Sequence, residues 1–399
     1  MKKKHIYLSV SSVIIIIALI FITLFVLSHH KSHKKENNTN SAPTTIVVSQ
    51  PDKVLSSSSV FVGEVFWGRA IQTVSNRSTL KYAFPFHGLS QNLHDSVNNW
   101  IGDLECPTTT TDIPYQTQVD YLRFNCRPEY LTEAKKWFNI FTLANNHSFD
   151  NGQTGLDQTR ANLQNAGIQY FGDYHDTNTD NICEVVAMNA KEDYGNGNIK
   201  DVYLPVAMCG YMLVVDQQPT ADQLAVISKY SKIMPTIVMP HMGVEYRSTA
   251  ESEKVKAYHS FIDAGADAVF ATHPHYIQNS ENYKGRLIQY SAGNFMFDQQ
   301  ILGLNTTLSL GVGISITIKD QHAIDVYSAV GQQCLAFKDN CLSEISAKLT
   351  IRPKIYVKYF PECFMEPNYF PETADTKTCN LIKSQATWDY ATANLDSAW

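Results

Sequence analysis

The chain has 399 residues, 44% of them hydrophobic, with 32 Lys and Arg against 38 Asp and Glu; this composition excludes disorder, a coiled coil and a collagen-like fibre and leaves room for a sizeable core. Residues 1–35 hold six lysines and no acid, so the remainder carries 26 basic and 38 acidic residues, a formal charge of −12. A surface of that sign, without a Lys/Arg-rich stripe, repels phosphate backbones and sets nucleic acid aside as a partner.

In chain order the first feature is Ile6–Leu27, 22 residues without a charge, which as a helix reaches roughly 33 Å and can cross a bilayer. A cleaved signal normally has an apolar stretch of about 7–15 residues ending in a small-x-small site. Val26-Leu27-Ser28 is a poor cleavage site, so residues 1–28 read as an uncleaved membrane anchor in preference to a cleaved signal. Three lysines precede the segment and three follow it closely, so charge leaves its orientation open. All eight cysteines (Cys106, Cys126, Cys183, Cys209, Cys334, Cys341, Cys363, Cys379) lie beyond it. That even number favours an exported, extracellular domain with disulfides, paired for a first guess in sequence order out of 105 connectivities. Buried free thiols in a cytosolic domain are the alternative; with no CxxC, zinc fingers are not expected.

Residues 29–58, rich in Ser, Thr, Asn, Lys and His, read as a flexible tether. From Ser59 to residue 335 short β-branched runs alternate with helical stretches. The expected strands are Val60–Val65, Phe138–Leu143, Thr236–Met239, Ala268–Ala271, Leu287–Ser291, Leu308–Ile318 and Ile324–Val330. The expected helices are Gly155–Asn165, Asp222–Ile233 and Ala250–Ala264, the last with Val255, Tyr258, Phe261 and Ile262 on one face. Such alternation implies an α/β layered domain, and the alternating Leu308–Ile318 adds antiparallel strands. Residues 336–399, with three cysteines and Pro353, Pro361, Pro367 and Pro371, read as a disulfide-pinned extension.

Five segments at strand ends carry chemistry. Phe61–Arg69 is an apolar run holding Glu64, which needs a cation, a metal or a hydrogen-bond donor; an ion pair with Arg69 would serve as well. In Trp100–Pro107 an extended backbone turns Asp103 and Glu105 to one face, a pair suited to a hard cation or simply a solvated strand edge. In Leu143–Gly152, Asn146 and His147 can ligate a divalent ion, or His147 can stand beside it and act on a leaving group; an Asx-turn capping the next helix is the plainer reading. His241, in Val238–Tyr246, is by itself as consistent with a structural role. It gains weight from His273-Pro274-His275, where the proline biases His273 away from helical geometry and three imidazoles make the nitrogen half of a zinc, manganese or iron site. His259, inside a helix, reads as an ordinary histidine.

These residues resemble the bacterial capsule-synthesis protein CapA family, associated with poly-γ-glutamate synthesis and itself similar to the calcineurin-type metallophosphoesterases. The resemblance runs over about Val60–Val330. It rests on Leu143–His147 leading into Gly155-Leu156-Asp157 and Asn165–Ile168, on His241-x-Gly243-Val244-Glu245-Tyr246, on Ile262–Asp267, on His273-Pro274-His275, and on Tyr290–Gln299. It implies a four-layer α/β sandwich, two mixed β-sheets flanked by helices, and metal-site roles for Glu64, Glu105, Asn146, His241, His273 and His275. His147 would be the acid near the leaving group, with Arg69 and Asn145 contacting substrate. Two departures stand out: Gly63-Glu64 replaces the usual Gly-Asp, so the carboxylate reaches one methylene further and can shift a bridging metal, and Asp103 replaces the Asn of the usual Gly-Asn-Leu-Glu.

The chemistry so implied is a hydrolase with one or two divalent ions (Mn, Zn, Fe or Mg), acting on a phosphoryl or acyl centre. A non-catalytic metal-binding subunit of a membrane polymer synthase or export complex, handling an anionic poly-γ-glutamate-like polymer, is the alternative.

Overall fold

A computed structural model describes residues 52–172, 179–214, 218–299, 306–336 and 338–399. The chain divides into Met1–Gln50, outside the described residues, and a compact unit from Pro51 to Trp399. The expected anchor and most of the expected tether therefore lie outside the described residues, among which no helix is long and apolar enough to cross a membrane.

Among the described residues the unit has fourteen strands: β1 (Val54–Val65), β2 (Asn99–Leu104), β3 (Ile140–Thr142), β4 (Gln169–Phe171), β5 (Cys183–Asp193), β6 (Ile199–Val214), β7 (Thr236–Gly243), β8 (Ala268–Phe270), β9 (Ser280–Tyr283), β10 (Arg286–Gln289), β11 (Asn294–Met296), β12 (Leu308–Ile318), β13 (Ile355–Met365) and β14 (Glu372–Thr373). Their ladder runs β14-β13-β12-β1-β5-β6-β7-β8-β10-β9, with β11 and the series β2-β3-β4 attached to β1. The first residues of β1 pair with β5 and its last with β2. The two expected sheets are thus joined through β1 into one 14-stranded network.

Alternate residues of a strand serve different cores. Phe61 and Ile101 join Ile237, Met239 and Phe270 in one cluster. Val60, Val62 and Trp100 join a second, into which the helix Gly152–Ala166 inserts Leu156 and Leu163. Val238 joins a third, covered by Tyr258, Phe261 and Ile262 of the helix Ser252–Asp263. The fold is therefore a mixed α/β assembly, a large sheet flanked by helices, as the period-two and period-3.6 apolar patterns require.

Three boundaries differ from expectation. Ile324–Val330 is no strand but part of the helix Gln321–Ala336: Ala323, Tyr327, Val330 and Cys334 are buried at steps of four, three and four, and that helical spacing outweighs β-branched propensity. Residues 54–58 belong to β1, because their serines are satisfied inside the sheet, Ser57 Oγ donating to Asn189 O at 2.8 Å and Ser58 Oγ to Asn98 Oδ1 at 3.0 Å. The C-terminal residues are no separate extension, since β13 pairs along its whole length with β12. All eight cysteines pair in sequence order: Cys106–Cys126, Cys183–Cys209, Cys334–Cys341 and Cys363–Cys379.

Candidate metal centre

Strands β1, β2, β3, β7 and β8 run in one direction, so their C-terminal ends share one edge of the sheet, where backbone leaves the ladder and side chains converge. Glu64 stands at the end of β1. Its neighbour has to be glycine: a Cβ on Gly63 would lie 1.7 Å from the Gly293 carbonyl oxygen, which presses in beside it. From β2 come Asp103 and Glu105, the latter docked by its own N–H on Val65 O at 3.1 Å. The turn after β3 supplies Asn145, Asn146 and His147, β7 supplies His241, and the turn after β8 supplies Thr272, His273 and His275. Pro274 keeps His273 out of the right-handed helical region, but the backbone goes to φ 95° rather than to an extended value, and His275 takes φ 53°. Left-handed conformations at two non-glycine residues are held by outside bonds; one is His273 N–H donating to Glu64 Oε1 at 2.5 Å.

Glu105, His241 and His273 bring one ligand atom each within 4.8 Å of one another, and so do Glu64, Glu105 and His275. Glu105 is common to both groups. Asn146 borders the first group, with Oδ1 2.7 Å from His241 Nε2. The orientation of the rings is set from behind. Asp103 Oδ2 lies 2.8 Å from His241 Nδ1 and also accepts the Thr272 hydroxyl, and Asn294 Oδ1 lies 2.8 Å from His275 Nδ1. A neutral imidazole with its proton on Nδ1 presents the Nε2 lone pair to the cluster. His241 Nε2 then faces both Asn146 Oδ1 and His273 Nδ1, the latter at 3.0 Å, a convergence of atoms each able to ligate a cation.

The carboxylates make the stronger case. Glu64 and Glu105 are fully buried, and both oxygens of Glu105 and Oε2 of Glu64 lack any hydrogen-bond partner. Uncompensated burial of such groups is costly. Burial pushes the Glu64 carboxyl up and the Glu105 carboxyl well up, the Glu64 and Asp103 charges adding to the effect on Glu105. Asp103 is pushed up to about 7, chiefly by burial. Burial holds the His241 and His273 imidazoles well below their ordinary value and lowers His275 as well. Neutral imidazoles, an amide oxygen and a shared carboxylate form a donor set that fits manganese, zinc or iron.

His147 sits at the rim. Its Nδ1 lies 2.9 Å from Asp150 Oδ2, and its ring stacks on Phe124 at 3.9 Å between centroids. Asn145 and Arg69, expected to touch substrate, are otherwise engaged. Asn145 Nδ2 donates to Asp103 Oδ1 and Leu104 O, while its Oδ1 accepts from His147 N and Ser148 Oγ, so this buried amide braces the turn. Arg69 gives Nε and Nη2 to Asp298 and packs against Phe66, Phe124 and Phe297. The orienting residues Asp150, Asn294 and Thr272 were not singled out from the sequence, although each lies within or beside a quoted segment.

Residues 58–299 match the family model described as bacterial capsule synthesis protein PGA_cap. Curated relatives include "Capsule biosynthesis protein CapA" of Bacillus anthracis, 26% identical over 60% of this chain and 59% of its own length. "PGA biosynthesis protein CapA" of Bacillus subtilis (strain 168) is 26% identical over 63% and 66%, and "Probable polyglutamine synthesis accessory protein MT0602" of Mycobacterium tuberculosis (strain CDC 1551 / Oshkosh) is 28% identical over 41% and 47%. The chain thus spans about three fifths to two thirds of the length of the two Bacillus relatives. With more than half of its residues inside the matched range, the chain belongs to the bacterial capsule synthesis protein PGA_cap family.

Proposed function

We propose that the chain is a divalent-metal-dependent hydrolase of capsule biosynthesis, with a fold related to the metallophosphoesterases, tethered to the membrane by Ile6–Leu27 and working outside the cell beside a poly-γ-glutamate synthase on an anionic polymer. One observation carries the reading: the Glu105 carboxylate is buried between two ligand groups with neither oxygen partnered. Glu64, Glu105, Asn146, His241, His273 and His275 would hold one or two ions. An ion so held would supply a water molecule of lowered pKa and polarisation of the phosphoryl or acyl oxygen. Within this reading Asp103 and Asn294 fix the imidazoles, and the stack on Phe124 with the bond to Asp150 aims His147 Nε2 outwards. From there His147 donates a proton to the leaving group, the bond to Asp150 holding the ring in place.

The reading is tested on the full chain by metal analysis together with assays of phosphoester and γ-glutamyl hydrolysis in the wild type, His147→Ala and Glu64→Asp. Stoichiometric metal with turnover abolished in His147→Ala is the expected result; absence of metal overturns it. A second reading, a non-catalytic metal-holding subunit, is favoured by the engagement of Arg69 with Asp298 and of Asn145 with Asp103, which leaves an anionic substrate few donors. Stoichiometric metal without turnover on either substrate would select it.

A further inference from the structure

The chain that follows His275 also walls a cavity of about 820 Å³, lined by Asn279, Glu281 and Asn282 around β9, by Tyr290 after β10, and by Tyr390 and Asn394 near the C-terminus. The wall is pre-built. Ser280 N–H donates to Ala386 O at 2.6 Å, Thr387 Oγ1 to Ser280 O at 3.0 Å and Asn282 Nδ2 to Asn394 O at 2.8 Å, so β9 and the helix Trp388–Thr392 are stitched together at both ends. A preformed cavity of this size with a few placed polar groups is the ordinary form of a small-molecule site.

Its chemistry narrows the ligand. Glu281 is the sole charged residue in the lining, which contains neither lysine nor arginine; its carboxylate accepts from Tyr290 OH at 2.6 Å and from His259 Nε2 at 3.0 Å. An anionic polymer would meet a carboxylate there, with the His259 imidazole beside it and no lysine or arginine in the lining. Asn279 uses Oδ1 on Ala250 N at 3.3 Å, which keeps Nδ2 as a donor. Tyr390 is 88% exposed, a flat ring with a partly negative face on the cavity rim. A neutral, polyhydroxylated ring matches all of these: its C–H face stacks on the tyrosine while its hydroxyls donate to the carboxylate and exchange bonds with the amides.

We propose that this cavity binds a pyranose unit of a neutral glycan, with Tyr390 as the stacking plate and Glu281, Asn279 and Asn394 as the hydroxyl partners. Asn279, Glu281, Asn282 and Tyr290 lie within the family-matched range 58–299, whereas Tyr390 and Asn394 lie beyond it, so the stacking ring comes from outside the matched segment. It is independent of the metal centre.

The test uses the full chain in a detergent without a sugar headgroup, titrated calorimetrically with triacetylchitotriose, cellotriose and maltotriose, and with a γ-glutamate oligomer. Saturable binding of at least one neutral trisaccharide is expected, weakened tenfold or more in Tyr390→Ala and kept within about twofold in Tyr390→Phe, with the thermal midpoint of both variants unchanged. No saturable binding of any neutral probe overturns the proposal, as does binding that Tyr390→Ala leaves intact. Binding of the γ-glutamate oligomer in its place, lost in Tyr390→Ala, would overturn the charge argument.

Discussion

Asp103 and His241 meet at 2.8 Å, carboxylate oxygen to Nδ1, and both side chains are fully buried. The bond selects one tautomer of the imidazole and so decides which nitrogen faces Glu105. Asp103→Asn keeps the shape but offers an amide that can present its NH₂ to Nδ1 and turn the ring proton towards the cluster. Affinity for Mn²⁺, read by competition with a chelator, should fall about 10–100-fold, with the circular dichroism spectrum unchanged.

Glu105 belongs to both ligand groups and has no other partner, so function and stability should part there. Glu105→Gln is expected to abolish stoichiometric metal binding, while in excess chelator its unfolding midpoint equals or exceeds that of the wild type, because the cost of holding an ionisable carboxyl in a buried site has been removed. Equal metal content in the two proteins would refute the shared-ligand geometry.

Lys254 is buried beneath the loop that follows β7, its Nζ donating to Gln278 Oε1 at 2.9 Å, and burial lowers its pKa to about 7. An unfolded lysine holds its proton up to about 10.4. Between these values the unfolded state binds more protons than the native one, so this group makes stability rise with pH across that window, by up to ~1.4 kcal/mol per pH unit. Lys254→Met should flatten the slope of urea-unfolding free energy measured from pH 7 to pH 9.5.

The disulfide Cys106–Cys126 begins at the residue after Glu105 and ends two residues after Phe124, the ring on which His147 stacks. It therefore joins the bridging carboxylate to the roof over the rim. Replacing both cysteines by serine should cost about 3 kcal/mol through the loop it closes and should also weaken Mn²⁺ binding; loss of stability with undiminished metal affinity would confine the bond to a structural role.

How much of this was legible follows from what a residue has to do. Glu64, Glu105, His241, His273 and His275 stood out because each is polar at the end of an apolar run, and the structure brings all five together. Asp103 stood out only as half of a cation-binding pair with Glu105, whereas in the structure it orients His241; Asn294 and Asp150 likewise act through another side chain, and nothing in local pattern distinguishes that role from that of any other polar group near a turn. Strand β12 was readable from its strict alternation. Its partner β13 was masked by Pro353, Pro361 and two lysines, and Ile324–Val330 misled because β-branched residues can also satisfy a helical period when neighbours bury one side of it.

Strand β1 works as a strut. Ten residues separate Val54 from Glu64, and at about 3.3 Å each they hold the two ends some 33 Å apart. The Val54 end of the strand thus stands at the far pole from the carboxylates, so a substitution or a label placed there would leave every ligand undisturbed.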